Sequence, residues 1–201
     1  MAGDALLEAR DLGITRAGRE LFRALDLTLR PGDVLHLRGA NGAGKTTLLR
    51  ILAGLRRYGF AGRVTRRQAP LFLAHDSAVK ALLTPRENLR WHPSGERFED
   101  PASVDRALAS VDLYGYEDVP AGHLSAGQQR RVNLARLFLS ERALWLLDEP
   151  FTAIDASGVA RLQARLARHA RAGGAIVLTS HQALAMDYPL RALDLDPVPG
   201  A

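Results

Sequence analysis

Cysteine is missing from the 201 residues, which rules out a disulfide framework and a thiolate metal site and suits a reducing compartment. Lysine is nearly missing: of 27 basic residues only Lys45 and Lys80 are lysine, the rest arginine. No apolar run approaches the roughly 20 residues needed to cross a bilayer. The acidic opening Met1-Ala2-Gly3-Asp4 leads into no apolar stretch of the kind that directs secretion. A cytoplasmic chain, soluble on its own, is the expectation. The net charge of +5 raises nucleic acid as a partner. The arginines are scattered through expected helices rather than gathered into a stripe, so no nucleic-acid partner is expected.

Short apolar runs do occur, and they are punctuated. Leu6-Leu7, Leu21-Phe22, Leu25, Leu27 and Leu29 end at Pro31-Gly32, the pattern of an antiparallel strand pair and a turn. Val34 to Leu37 reads as a short buried strand, and Leu48, Ile51, Leu52 and Leu55 as one stripe of a helix. From about Lys80 to Leu139 the pattern is mostly helical, broken at Pro85, Pro93, Pro101, Pro120 and Gly122. Leu144 to Leu147 and Ala175 to Thr179 are all apolar or nearly so, as buried strands of a parallel sheet are. Between them Val159, Leu162 and Leu166 mark a helix whose other face carries Arg161, Arg165 and Arg168, stopped at Gly173-Gly174. Leu190 to Leu195 reads as a last strand. Strands alternating with helices give an α/β core, and the helical middle reads as an insertion into it.

Three stretches carry chemistry. Gly39-Ala40-Asn41-Gly42-Ala43-Gly44-Lys45-Thr46, with Thr47 after it, matches G-x-x-x-x-G-K-[ST] between a strand and a helix. Backbone N–H groups and a helix N-terminus present positive charge to phosphates. Lys45 would neutralise the β- and γ-phosphates of ATP, and the Thr46 hydroxyl would ligate Mg²⁺. Asp148-Glu149-Pro150 follows the apolar strand at the sheet edge where open α/β folds bind ligands. There Asp148 would hold Mg²⁺ through water and Glu149 would polarise the attacking water; a mere strand cap is the alternative. Leu124-Ser125-Ala126-Gly127-Gln128-Gln129 places a serine and small residues at a helix start, either an N-cap or a second anion site.

In this order, the three resemble the motifs of the ABC ATPase family over essentially the whole chain. Leu124 to Gln128 is similar to the family's L-S-G-G-Q signature, with Ala126 for the first glycine. The resemblance implies a P-loop NTPase α/β core with an antiparallel β subdomain and an inserted helical subdomain. The chain would be one nucleotide-binding domain, residues 1–79 and 140–201 forming the core and 80–139 the helical signature part. It also implies a head-to-tail dimer in which the signature of one copy closes over ATP on the P-loop of the other. Thr152-Ala153-Ile154-Asp155 resembles a dimer-contacting loop, where Asp155 is otherwise a helix cap. His181 stands where the family contacts the γ-phosphate and positions the transition state. Two positions depart from the pattern: Arg16 where an aromatic stacks on adenine, and His75 where a glutamine senses γ-phosphate and metal.

His75 with Lys80, the runs 124–132 and 144–155, and Gly158-Val159-Ala160-Arg161-Leu162 are similar to the ATP-binding subunits of cytochrome c maturation transporters. That likeness implies an integral membrane partner at the cytoplasmic face of the bacterial inner membrane. Haem would be handled by the complex and not by this chain, with ATP hydrolysis driving release of a haem-loaded chaperone. The subunit of another small ABC transporter is an alternative, as is a non-transport ABC ATPase of DNA repair or translation. The latter normally brings coiled-coil insertions or two nucleotide-binding domains in one chain. A module that binds ATP without hydrolysis fits poorly with Glu149 and His181, and a small-molecule kinase leaves Ser125 to Gln129 unexplained.

Overall fold

The computed structural model describes residues 5–90, 98, 100–182 and 184–195; the opening tetrapeptide and Pro93 lie outside the described residues. Alternating burial produces two long strands, β1 (Leu7–Arg16) and β2 (Arg19–Leu29), paired antiparallel across a turn at Ala17 and Gly18. A third strand, β4 (Ala61–Arg66), pairs antiparallel with the other edge of β1. It is mostly exposed and arginine-rich, so apolar patterning gives it no signature.

The second sheet is parallel, in the order β5 (Leu71–Leu73), β6 (Leu144–Leu147), β7 (Ala175–Thr179), β3 (Val34–Arg38), β8 (Arg191–Asp194). Strand β5 has only three residues, too few for a period to register. Because the sheet is covered on both faces, β6 and β7 are buried throughout. Their alternation divides two cores. Leu144, Leu146, Ala175 and Val177 pack with the antiparallel sheet and helix α1 (Lys45–Ala53), while Trp145, Leu147, Ile176 and Leu178 pack with the other helices.

Helix α1 buries Leu48, Leu49, Ile51 and Leu52, but ends before Leu55. Gly54 adopts a left-handed C-cap (φ 77°), and Leu55 turns out to solvent, 64% exposed, rather than extending the stripe. Arg66 of β4 donates to the carbonyls of Ile51 and Leu52, tying the small sheet to this helix end.

The middle segment contains α2 (Pro85–Arg90), α3 (Pro101–Ala109), a 3₁₀ turn (Ala121–His123) and α4 (Ala126–Leu139). Asp100 caps α3 by accepting from the amides of Ala102 and Ser103. The Asn88 side chain is buried and bonds the backbone of Lys80, Leu83 and Thr84, fixing the entry to the segment. Helix α5 (Ala156–Arg171) packs Leu162, Leu166, Ala167 and Ala170 inward. Its arginine face is less solvated than the sequence implies. The Arg165 guanidinium lies over the Trp145 ring at 4.7 Å, and burial lowers its pKa to about 10.

Candidate functional site

All strands of the second sheet run the same way, so the chain segments leaving β3, β5, β6 and β7 converge at one edge. A cleft of about 390 Å³ lies there, lined by Arg16, Leu21, Asn41, Gly42, Gly44, Lys45, Thr46, Thr47, His75, Asp148, Glu149 and His181. Residues 102 positions apart thus meet directly: the Thr46 hydroxyl donates to Asp148 Oδ2 at 2.7 Å.

The loop from β3 to α1 needs its glycines. Gly39 has φ 142°, and a Cβ there would stand 2.6 Å from the Leu195 carbonyl oxygen. Gly44, at φ 101°, occupies the N-cap of α1. Lys45 folds over the loop, donating from Nζ to the carbonyls of Gly39 at 2.7 Å and Ala40 at 3.1 Å. Gly39, Ala40 and Ala43 frame the loop without lining the cleft, and Ala43 is buried in the core.

At the end of β6, Asp148 is 3% exposed and receives a second bond from the Thr179 hydroxyl at 2.9 Å. That hydroxyl accepts from the Glu149 amide at 2.8 Å, so one fully buried threonine orients both acidic residues. Glu149 has φ 50°, left-handed for a residue with a Cβ, a conformation that persists where surroundings impose it. Its side chain is 14% exposed; Oε1 lies 3.4 Å from His181 Nε2 and Oε2 accepts from the His181 amide at 3.3 Å. Oε1 is buried with no hydrogen-bond partner and has the His181 ring beside it.

The donor set fits Mg²⁺, which takes oxygen ligands and keeps several places for water and phosphate. Thr46 and Asp148 offer a hydroxyl and a carboxylate side by side. Among the described residues no cluster of three or more His, Cys, Asp or Glu could hold a metal ion by itself.

Ser125, Ala126, Gly127, Gln128 and Asp155 do not reach this cleft. Ser125 and Gln128 form a reciprocal capping box at the start of α4. Gly127 is packed so closely that a Cβ would sit 3.1 Å from the Ala153 carbonyl, joining the signature to the 152–155 loop. Asp155 caps α5, and its carboxyl is held below the usual range by Ser157, then by the Gly158 amide and Arg131. Ser125 and Ala126 are exposed.

Two buried residues that hold the cleft's loops carry no motif. Thr179 ends a strand that looks merely apolar. Arg130 is 5% exposed, and burial lowers its pKa against the opposing charges of Asp148, Glu149 and Asp76. Its bonds run to backbone carbonyls, which no side-chain pattern reveals.

A P-loop opening a helix at a parallel sheet edge, facing an adjacent Asp-Glu pair, with a capped signature helix outside the cleft, defines an ABC-type ATPase. The chain belongs to the ABC transporter family, whose pattern it matches over residues 22–152. The cytochrome c biogenesis ATP-binding export protein CcmA of Salmonella typhi is 50% identical over 89% of this chain and 91% of its own length. The protein of the same name from Yersinia pestis bv. Antiqua is 46% identical over 94% and 93%. The fold matches an ATP-binding protein of a putative ABC transporter from Pyrococcus furiosus with a TM-score of 0.77, at 24% identity over 94% and 96% of the two chains.

Proposed function

We propose that this chain is the ATP-hydrolysing subunit of a haem-handling export complex of cytochrome c biogenesis. It acts at the cytoplasmic face of the bacterial inner membrane beside an integral membrane subunit. Among the described residues no helix is long and apolar enough to cross a membrane, so the membrane path belongs to that partner. Residues 80–139 serve as the helical signature subdomain, set into a core formed by 1–79 and 140–201.

ATP lies with its phosphates on the amides of residues 39–47 and the N-terminus of α1. Lys45 exchanges the carbonyls of Gly39 and Ala40 for the β- and γ-phosphates, and Arg16 stacks its guanidinium plane on the base. Thr46 and, through water, Asp148 would hold Mg²⁺, which when bound would neutralise phosphate charge. The Glu149 carboxylate takes a proton from water as the water oxygen attacks the γ-phosphorus and ADP leaves. His181, beside Glu149, contacts the γ-phosphoryl group in the transition state, and His75 meets it from the β5 side. Ser125, Ala126, Gly127, Gln128 and Asp155 of a second copy close the site in a head-to-tail dimer, whose opening and closing moves the membrane subunit.

The observation that carries this reading is the Glu149 carboxylate itself. It follows Asp148, the partner of Thr46, lines the cleft, and has the His181 ring beside it. Replacing the chromosomal copy with Glu149→Gln tests it. Loss of covalently haem-stained cytochromes, with the protein at normal level and phosphate release abolished, is the expected result. Normal cytochromes in such a strain would detach the ATPase from cytochrome c biogenesis.

A further inference from the structure

Arg130 lies at the start of α4, behind the signature, and its planar fork makes four bonds. Nη1 donates to the carbonyls of Ala74 at 2.8 Å and His75 at 2.9 Å; Nη2 donates to those of Asp148 at 3.1 Å and Glu149 at 2.6 Å. The four acceptors belong to two different strand ends. One leaves β5 toward His75, and the other leaves β6 toward Glu149. A single side chain of the helical segment therefore spans the two loops that face the γ-phosphate position. All four of these bonds go to backbone oxygens. Its cationic fork serves backbone oxygens, in a geometry that a one-nitrogen ammonium cannot reproduce.

The bond to Glu149 matters most, because the Glu149 backbone is left-handed (φ 50°). The Thr179 hydroxyl holds its amide and Arg130 holds its carbonyl. With both ends of the residue fixed, the direction of its side chain is set. A tilt of α4 pulls on this carbonyl and turns the carboxylate relative to attacking water. The same tilt moves Ser125, the N-cap of α4, at the other end of that rigid turn.

We propose that Arg130 is a positioning residue for ATP hydrolysis, coupling the orientation of the signature helix to the placement of Glu149 and His75. The proposal rests on Glu149 acting as the general base. It makes hydrolysis conditional on how the helical segment sits against the core. A catalytic carboxylate is then in line only when the signature helix is seated, whatever the occupancy of the P-loop.

The test uses the full chain assembled with its membrane subunit, comparing Arg130→Lys, which keeps the charge and loses the fork, with Arg130→Met and Glu149→Gln. For both Arg130 variants kcat falls roughly 10- to 100-fold, as when a supporting partner of a ligand residue is removed. The Kd for a fluorescent ATP analogue stays within about threefold, separating chemistry from binding. Hydrogen exchange gives a second readout. A non-hydrolysable Mg-ATP analogue protects residues 39–47 in every variant, but protects 74–75 and 148–149 only where Arg130 is intact. Arg130→Lys hydrolysing at the wild-type rate, or showing wild-type protection at 74–75 and 148–149, would overturn the proposal while an inactive Glu149→Gln left the base assignment standing. A Glu149→Gln protein that still hydrolyses would remove both.

Discussion

Thr179 shows how much of this site rests on single atoms. Its one hydroxyl, fully buried, donates to Asp148 and accepts from the Glu149 amide. Thr179→Val keeps the shape and leaves a buried amide and a buried carboxylate oxygen each short of a partner, costing about 2 kcal/mol of stability. Phosphate release at saturating ATP should fall roughly tenfold with nucleotide affinity kept, which steady-state kinetics would check. At Gly39 the constraint is steric. Gly39→Ala would press a methyl group against the Leu195 carbonyl at φ 142°, so nucleotide binding measured by fluorescence should be lost. The P-loop and Asp148-Glu149 are legible in the sequence because their chemistry is local, a run of neighbours with fixed spacing. Thr179 and Arg130 are illegible because they act across the fold, on partners 31 and 55 residues away.

At the scale of elements, α5 is held to β6 by a stack of His169 on Trp145, with ring centroids 3.6 Å apart and planes within 5°. Burial, and next the charge of Arg165, lowers the His169 pKa to about 4. An imidazole in the unfolded chain titrates near ~6.5, so between these values the unfolded state binds the proton more readily. Stability from this contact is complete above about pH 6.5 and declines as pH falls toward 4, by about 2 kcal/mol once the ring's partial exposure is allowed for. Urea melts of the wild type at pH 7.5 and 4.5 should differ by that much more than those of His169→Phe. Elements with a clear apolar pattern were readable: α5 from its stripe, β6 and β7 from their unbroken runs. Strands β4 and β5 were not, because an exposed edge strand and a three-residue strand owe their conformation to pairing with β1 and β6.

At the scale of the whole molecule, Ser125 and Gly127 do not line the cleft of their own chain. In the proposed head-to-tail dimer those of a second copy close it. Glu149→Gln with ATP and Mg²⁺ should double its mass by light scattering, and chelating the metal should return it to the monomer. A monomer under both conditions, with the membrane subunit also present, would rule out the sandwich. One further consequence lies in the four residues of β6. Leu144 and Leu146 support the core around α1, while Trp145 and Leu147 support the core around the remaining helices. Neither core can melt without stripping a wall from the other, however separate the lobes look. Calorimetry should therefore record one cooperative peak, with the measured enthalpy equal to the van't Hoff value, and no lobe of this protein should survive excision as a folded fragment.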